Sequence, residues 1–160
     1  MSKKSQMATT DLFIALFAAT ILIIIIIFAW NNYALILNED VNYKEMQIKA
    51  FQTADLLIKS KGVPVNWEEN PTNIDVIGLA ASDRNLSTEK VSAFLNASYN
   101  ITLKSLGIEL YNFYFRLKDL NGTEIAEYRN ASASNKSIIN IQRLVLYENK
   151  IAVAEFGLWE

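Results

Sequence analysis

The chain has 160 residues, a formal net charge of −2 and neither cysteine nor histidine. That excludes a disulfide framework, a thiolate metal site, a cysteine nucleophile, and the commonest general base and metal ligand. Of the 15 basic and 17 acidic residues, only Lys3, Lys4 and Asp11 precede Asn31; the remainder therefore carries about −3 and lacks the basic footprint of a nucleic-acid surface.

Residues 12–30 (LFIALFAATILIIIIIFAW) hold no charge, and Thr20 is their only strongly polar side chain. At roughly 1.5 Å per residue, a helix of that length spans about 28 Å, close to the hydrocarbon thickness of a bilayer. A helix satisfies its own backbone donors and acceptors, as hydrocarbon requires. Ile21 and the run from Ile23 to Ile27 are mediocre helix formers in water but suit a helix solvated by lipid or by other helices. Lys3 and Lys4 precede the stretch, and Asn31, Asn32, Glu39 and Asp40 follow it. The positive-inside bias then puts the N-terminus in the cytoplasm and the rest outside. A conventional secretory signal has an apolar region of roughly 7–15 residues and then a small-x-small cleavage site; Ile27-Phe28-Ala29 matches poorly. Ala15, Ala18 and Ala19 stand at i, i+3 and i+4 and permit close helix–helix approach. Asp11 at the entrance is favoured by the helix dipole, and any deeper position would require a partner for its carboxylate.

Beyond the apolar stretch, Tyr43, Met46, Ala50, Phe51, Ala54, Leu57 and Ile58 fall on one helical face. Gly62 is a natural stop and Pro64 blocks continuation. No proline or glycine interrupts residues 8–61, so the spacing predicts one long helix over 7–61, with a kink near 38–40 allowed. The other arrangement is a membrane helix followed by a separate core helix.

Residues 62–160 read as an α+β head. Trp67 is expected to pack beneath it with its indole N–H on an acceptor. Residues 74–80 (IDVIGLA) are a strand candidate. Ser87 is a good N-cap with Glu89 in the first turn, and Val91, Phe94, Leu95, Leu103 and Leu106 trace an apolar stripe ending at Gly107. From Ile108 the period becomes 2, with Tyr111, Phe113, Phe115 and Leu117 facing one way. Asn121-Gly122 predicts a type I′ hairpin to a strand over 123–129, and residues 130–137 a polar loop. Residues 138–147 and 151–159 form a second hairpin through Glu148, Asn149 and Lys150. The expectation is one further helix on an antiparallel sheet of about four to five strands.

Asn-x-Ser/Thr occurs at Asn85, Asn96, Asn100, Asn121, Asn130 and Asn135, while Pro71 spoils Asn70. The composition predicts about two such sequons by chance, and sequons mark exposed N-glycan acceptors in a translocated chain. No Gly-rich phosphate loop, nucleophile–base pair or metal-ligand cluster stands out. The adjacent carboxylates Glu68-Glu69 and Glu39-Asp40 do not converge. The expectation is a non-enzymatic protein with no cofactor and no metal, carrying N-linked glycans.

The basic pair in Lys3-Lys4-Ser5-Gln6-Met7, the single carboxylate Asp11 and the apolar helix behind it resemble the class III signal peptide of archaeal type IV pilins and pilin-like proteins. Gly62/Pro64/Trp67, the Ile77-Gly78-Leu79-Ala80 run and the terminal Trp159 extend the likeness over most of the chain. Two departures stand: Ser5 replaces the family's glycine, and Asp11 is the sixth residue after cleavage before Gln6 but the fifth after cleavage before Met7. The resemblance implies a basic leader over 1–6 removed by a prepilin peptidase and a retained helix that first spans the membrane. It further implies a helical homopolymer packed through Asp11, Ala15, Ala19 and Thr20, and a glycosylated head on the cell surface. In that family the carboxylate pairs with the freed α-amine of a neighbouring subunit. An assembly ATPase and a membrane platform are the other implied partners; no nucleic acid is. The competing expectation is a non-filamentous, single-pass anchored surface-binding protein, and a third is a minor pilin at the filament tip.

Overall fold

The computed structural model describes residues 3–71, 73–129 and 137–160. The chain forms two compact units, residues 1–44 and residues 45–160. Among the described residues, the first contains helix only. Helix α1 (Lys3–Lys59) runs without interruption through 38–40 and ends two residues before the predicted limit. With neither glycine nor proline inside it, no donor is missing from its hydrogen-bond ladder.

In the second unit the last turns of α1 bury Met46, Ala50, Thr53, Ala54, Leu57 and Ile58. Tyr43 and Phe51, expected on the same face, are 45% and 48% exposed. At 3.6 residues per turn, position 51 lies about 100° round the helix from the mean of the buried set, and its ring is capped by the Arg143 guanidinium, 5.4 Å from the centroid. Tyr43 precedes Met46, where the buried seam begins.

The sheet has six strands: β1 (Ala80–Ser82), β2 (Asn85–Leu86), β3 (Asn112–Asp119), β4 (Glu124–Tyr128), β5 (Ile139–Tyr147) and β6 (Lys150–Trp159). Their order is β1-β2-β5-β6-β3-β4. β2 pairs with β5 in parallel and every other neighbour pair is antiparallel, so the sheet is mixed and larger than the four to five strands expected. The additional strands are β1 and β2, too short to show a period. The expected strand over 74–80 is an extended connection. Val76 makes a single bridge to Val63, Leu79 N donates to Leu57 O at 2.8 Å, and Ile77 and Leu79 are buried. Its apolar alternation serves the end of α1 rather than a sheet neighbour.

The expected single helix over 87–106 is two, α2 (Thr88–Asn96) and α3 (Tyr99–Leu106). Ala97 and Ser98 between them are extended, and Tyr128 Oη donates to Ala97 O at 3.0 Å, taking a carbonyl that a continuous helix would use. Ser87 caps α2 as expected, its Oγ accepting from Lys90 N at 3.3 Å. Gly107, left-handed at φ +63°, ends α3.

The type I′ turn sits in the other hairpin. Leu120, Asn121 and Gly122 form a three-residue loop, with Gly122 N on Asp119 O at 3.0 Å and Asp119 N on Thr123 O at 2.9 Å. Only Gly122 takes positive φ there, and pairing resumes with a register shift at Lys118. This is a type I turn with a bulge, not the type I′ turn expected. Glu148 and Asn149, both at positive φ between the paired Tyr147 and Lys150, make the two-residue type I′ connection instead.

One face of the sheet, through Phe113, Phe115, Leu117, Ile139, Ile141, Val145, Ala154, Phe156 and Leu158, shares a core with α1, α2 and α3. Phe94 sits at its centre, edge-on to Phe115 at 5.6 Å and 4.7 Å from the Tyr128 ring. Trp67, in a short 3₁₀ turn (Trp67–Glu69), is fully buried and donates Nε1–H to Gly78 O at 2.9 Å, as expected.

Candidate functional site

Two features carry functional information, one in each unit. In the first, every residue from Asp11 to Tyr33 is exposed. The large apolar side chains there range from 43% exposed at Ile21 to 70% at Phe13. A contiguous apolar surface of this extent on a water-soluble monomer would mark an interaction surface. The helix is long and apolar enough to cross a membrane, with a mean hydropathy of 3.2 in its most apolar window. Thr20 Oγ1 donates to Phe17 O at 2.8 Å, so the one hydroxyl is satisfied within its own helix and can enter hydrocarbon without an unmet donor. Asp11, Ala15, Ala18 and Ala19 are exposed. Lys3, Lys4, Ser5, Gln6 and Met7 fall in the first turns of α1, and their side chains lie outside the described structure.

In the second unit, Asn96, Asn100 and Asn121 are exposed and Asn85 is half-buried; Asn130 and Asn135 lie outside the described residues. Asn96 closes α2, Asn100 lies in the first turn of α3, Asn121 occupies the β3–β4 loop and Asn85 begins β2.

Two buried charged groups escaped the sequence reading. Glu155, in the middle of β6, is 4% exposed. Its Oε1 accepts from Tyr114 Oη at 2.7 Å and Asn140 Nδ2 at 2.8 Å, and its Oε2 accepts from Lys118 Nζ at 2.5 Å. On a strand of alternating pattern such a residue reads as solvated, and only the register, which places Glu155 between Arg116 and Gln142, reveals the cluster. Lys90, 4% exposed, donates to Lys61 O and to Val65 O, with the Glu68 carboxylate 3.7 Å away. Both groups tie elements together.

Burial pushes the Glu155 carboxyl up, but the hydrogen bonds from Lys118, Tyr114 and Asn140 and the Lys118 charge outweigh it. The group lies below the ordinary value of 4.5. A carboxyl held low only in the folded state contributes its full stabilisation above that ordinary value and loses it as the pH falls through its folded value. Glu155→Gln is therefore expected to flatten the acid limb of the head's stability profile below about pH 4.5, read from urea midpoints across that range. An acid limb identical to that of the parent would show that this carboxylate contributes nothing.

An open groove of about 490 Å³ runs between Glu45, Ile48, Lys49 and Gln52 of α1 and residues 107–111. Among the described residues, no group of three or more acidic side chains is placed to hold a metal ion. Comparison with family models, with curated proteins and with solved structures returns no match.

Proposed function

We propose that the chain is a structural subunit of an archaeal type IV pilus-like surface filament. Its apolar helix holds the subunit in the membrane, N-terminus inside, until assembly. It then packs against the helices of other copies, while a glycosylated head forms the outer surface. The observation that carries this reading is the all-round exposure of the uncharged helix surface over residues 12–28. A helix apolar on every side needs lipid or other helices as its solvent. The partners that follow are a prepilin peptidase, an assembly ATPase and a membrane platform. Asp11 is the group that would meet a neighbour's α-amine.

The same helix surface also suits a permanent single-pass anchor carrying a surface-binding head with no filament. Processing separates the two. Intact-mass and N-terminal peptide mass spectrometry of the native protein is expected to find a chain starting at Gln6 or Met7 with the apolar helix retained. A chain that keeps Lys3 and Lys4 would favour the anchored module, and a start after Ala29 would overturn both.

A further inference from the structure

The described sequons differ in what their hydroxyls already do. Recognition of Asn-x-Ser/Thr involves the hydroxyl of the third residue as well as the asparagine amide. Transfer to a folded chain therefore needs a reachable amide and an unengaged hydroxyl in one accessible segment. Thr102, third in the Asn100 sequon, is fully buried. Its Oγ1 donates to Ser98 O at 3.1 Å and lies 3.3 Å from Tyr128 Oη. Asn100 itself is exposed, but reaching its hydroxyl would mean unwinding α3 from the aromatic cluster. Ser87, third in the Asn85 sequon, accepts from Lys90 N at 3.3 Å and donates to Glu89 Oε2 at 2.6 Å. Between it and Asn85, Leu86 is buried and Asn85 pairs with Leu146 in the sheet.

The other two sequons are open. In Asn96-Ala97-Ser98 the last two residues are extended, in the break between α2 and α3, and Ser98 is exposed and makes no side-chain cap bond. Asn96 Nδ2 donates only to the exposed carbonyl of Ser92, at 2.9 Å, which leaves its second N–H. In Asn121-Gly122-Thr123 all three residues are exposed. Asp119 Oδ1 holds the backbone amides of Asn121 and Thr123 at 2.9 and 2.8 Å, so the loop backbone is fixed without using either side chain. At Gly122 an added Cβ would meet nothing within 4 Å, so a bulky group has room.

Among the described sequons, the geometry points to Asn96 and Asn121 as the glycan acceptors of the folded head, with Asn85 and Asn100 left bare because their sequon hydroxyls serve the fold. This rests on the reading that the head is translocated. The donor is a lipid-linked oligosaccharide phosphate. Asparagine Nδ2 forms the bond to the sugar's anomeric carbon, and the anomeric C–O bond to phosphate breaks. The lipid phosphate leaves with the electron pair, and the amide proton passes to a base of the transferase.

Glycopeptide mass spectrometry of the native protein is expected to find glycans at Asn96 and Asn121 and none at Asn85 or Asn100. Asn96→Gln and Asn121→Gln should each remove one glycan from the intact mass, and Asn85→Gln and Asn100→Gln none. A glycan on Asn85 or Asn100, or an unmodified Asn96 or Asn121, would overturn the assignment. The same digest contains the N-terminal peptide. Bare Asn96 and Asn121 beside a processed N-terminus would sink the assignment alone, whereas the expected glycans beside a retained Lys3-Lys4 would sink the filament and leave the assignment standing.

Discussion

Trp67→Ala is expected to cost the head about 3–5 kcal/mol, a large share of the roughly 5–15 kcal/mol that holds a domain folded. Three features make the site unforgiving. The indole is fully buried. Its N–H meets Gly78 O at 2.9 Å. It also lies so close to Gly62 that a Cβ added there would sit 2.5 Å from Trp67 Cδ1. Truncation thus leaves a cavity and an orphaned carbonyl together. Trp67→Phe largely separates the two, since it keeps most of the ring volume while removing the donor, and should cost about 1–3 kcal/mol. Gly78→Ala tests the same junction from the other side. Its Cβ would fall 2.3 Å from Ser60 O and 2.6 Å from Gly62 N, backbone atoms that cannot rotate aside, so the end of α1 must shift. Urea unfolding of the detergent-solubilised full chain, followed by circular dichroism, measures all three. A Trp67→Ala loss below that of Trp67→Phe would show that the cavity collapses at no cost.

The helices and the long strands were legible because their signals are long. An uninterrupted apolar-then-amphipathic run admits little except a helix, and Phe113, Phe115 and Leu117 recur at every second position of β3. What failed was decided by partners distant in sequence. The stripe from Val91 to Leu106 is helical in period, yet Tyr128, 31 residues beyond Ala97, splits it by claiming that carbonyl. Asn121-Gly122 is the commonest spelling of a type I′ turn. Asp119, whose carboxylate takes two backbone amides of the loop, selects a longer turn, while Glu148-Asn149 adopts the type I′ geometry without a glycine. The candidate site divides in the same way. The apolar helix is written in residues 12–30 and needs no tertiary information. The sequons are equally visible as spellings, but Thr102 and Ser87 are third-position hydroxyls like Ser98 and Thr123 until the fold shows which are engaged. Glu155 and Lys90 have no sequence signature, because their burial is created by strands and loops that meet only in the folded head.

On the proposed reading of the chain as a filament subunit, Ala15→Leu/Ala19→Leu is expected to leave membrane integration intact and abolish filaments, and the opposed signs make it the sharper test of that proposal. In lipid, leucine is favourable by about 0.3–0.6 kcal/mol per residue near a helix centre, so the double substitution should anchor at least as firmly as the parent. Between packed helices the requirement reverses. Small residues let backbones approach, and extra methylenes in a packed interface cost typically 1–3 kcal/mol per site. Both positions would be repeated in every subunit, so the penalty recurs at each addition to the filament. The exposure of residues 15 and 19 in the isolated chain means that neither substitution disturbs the core of the head, whose urea midpoint should match the parent's. Carbonate-resistant membrane fractionation reads the anchor, and electron microscopy of sheared surface material reads the filament. Filaments of normal abundance from the double variant would show that this alanine pair does not line the packing seam. Loss of both filament and membrane fraction would show instead that the substitutions had damaged the subunit before assembly.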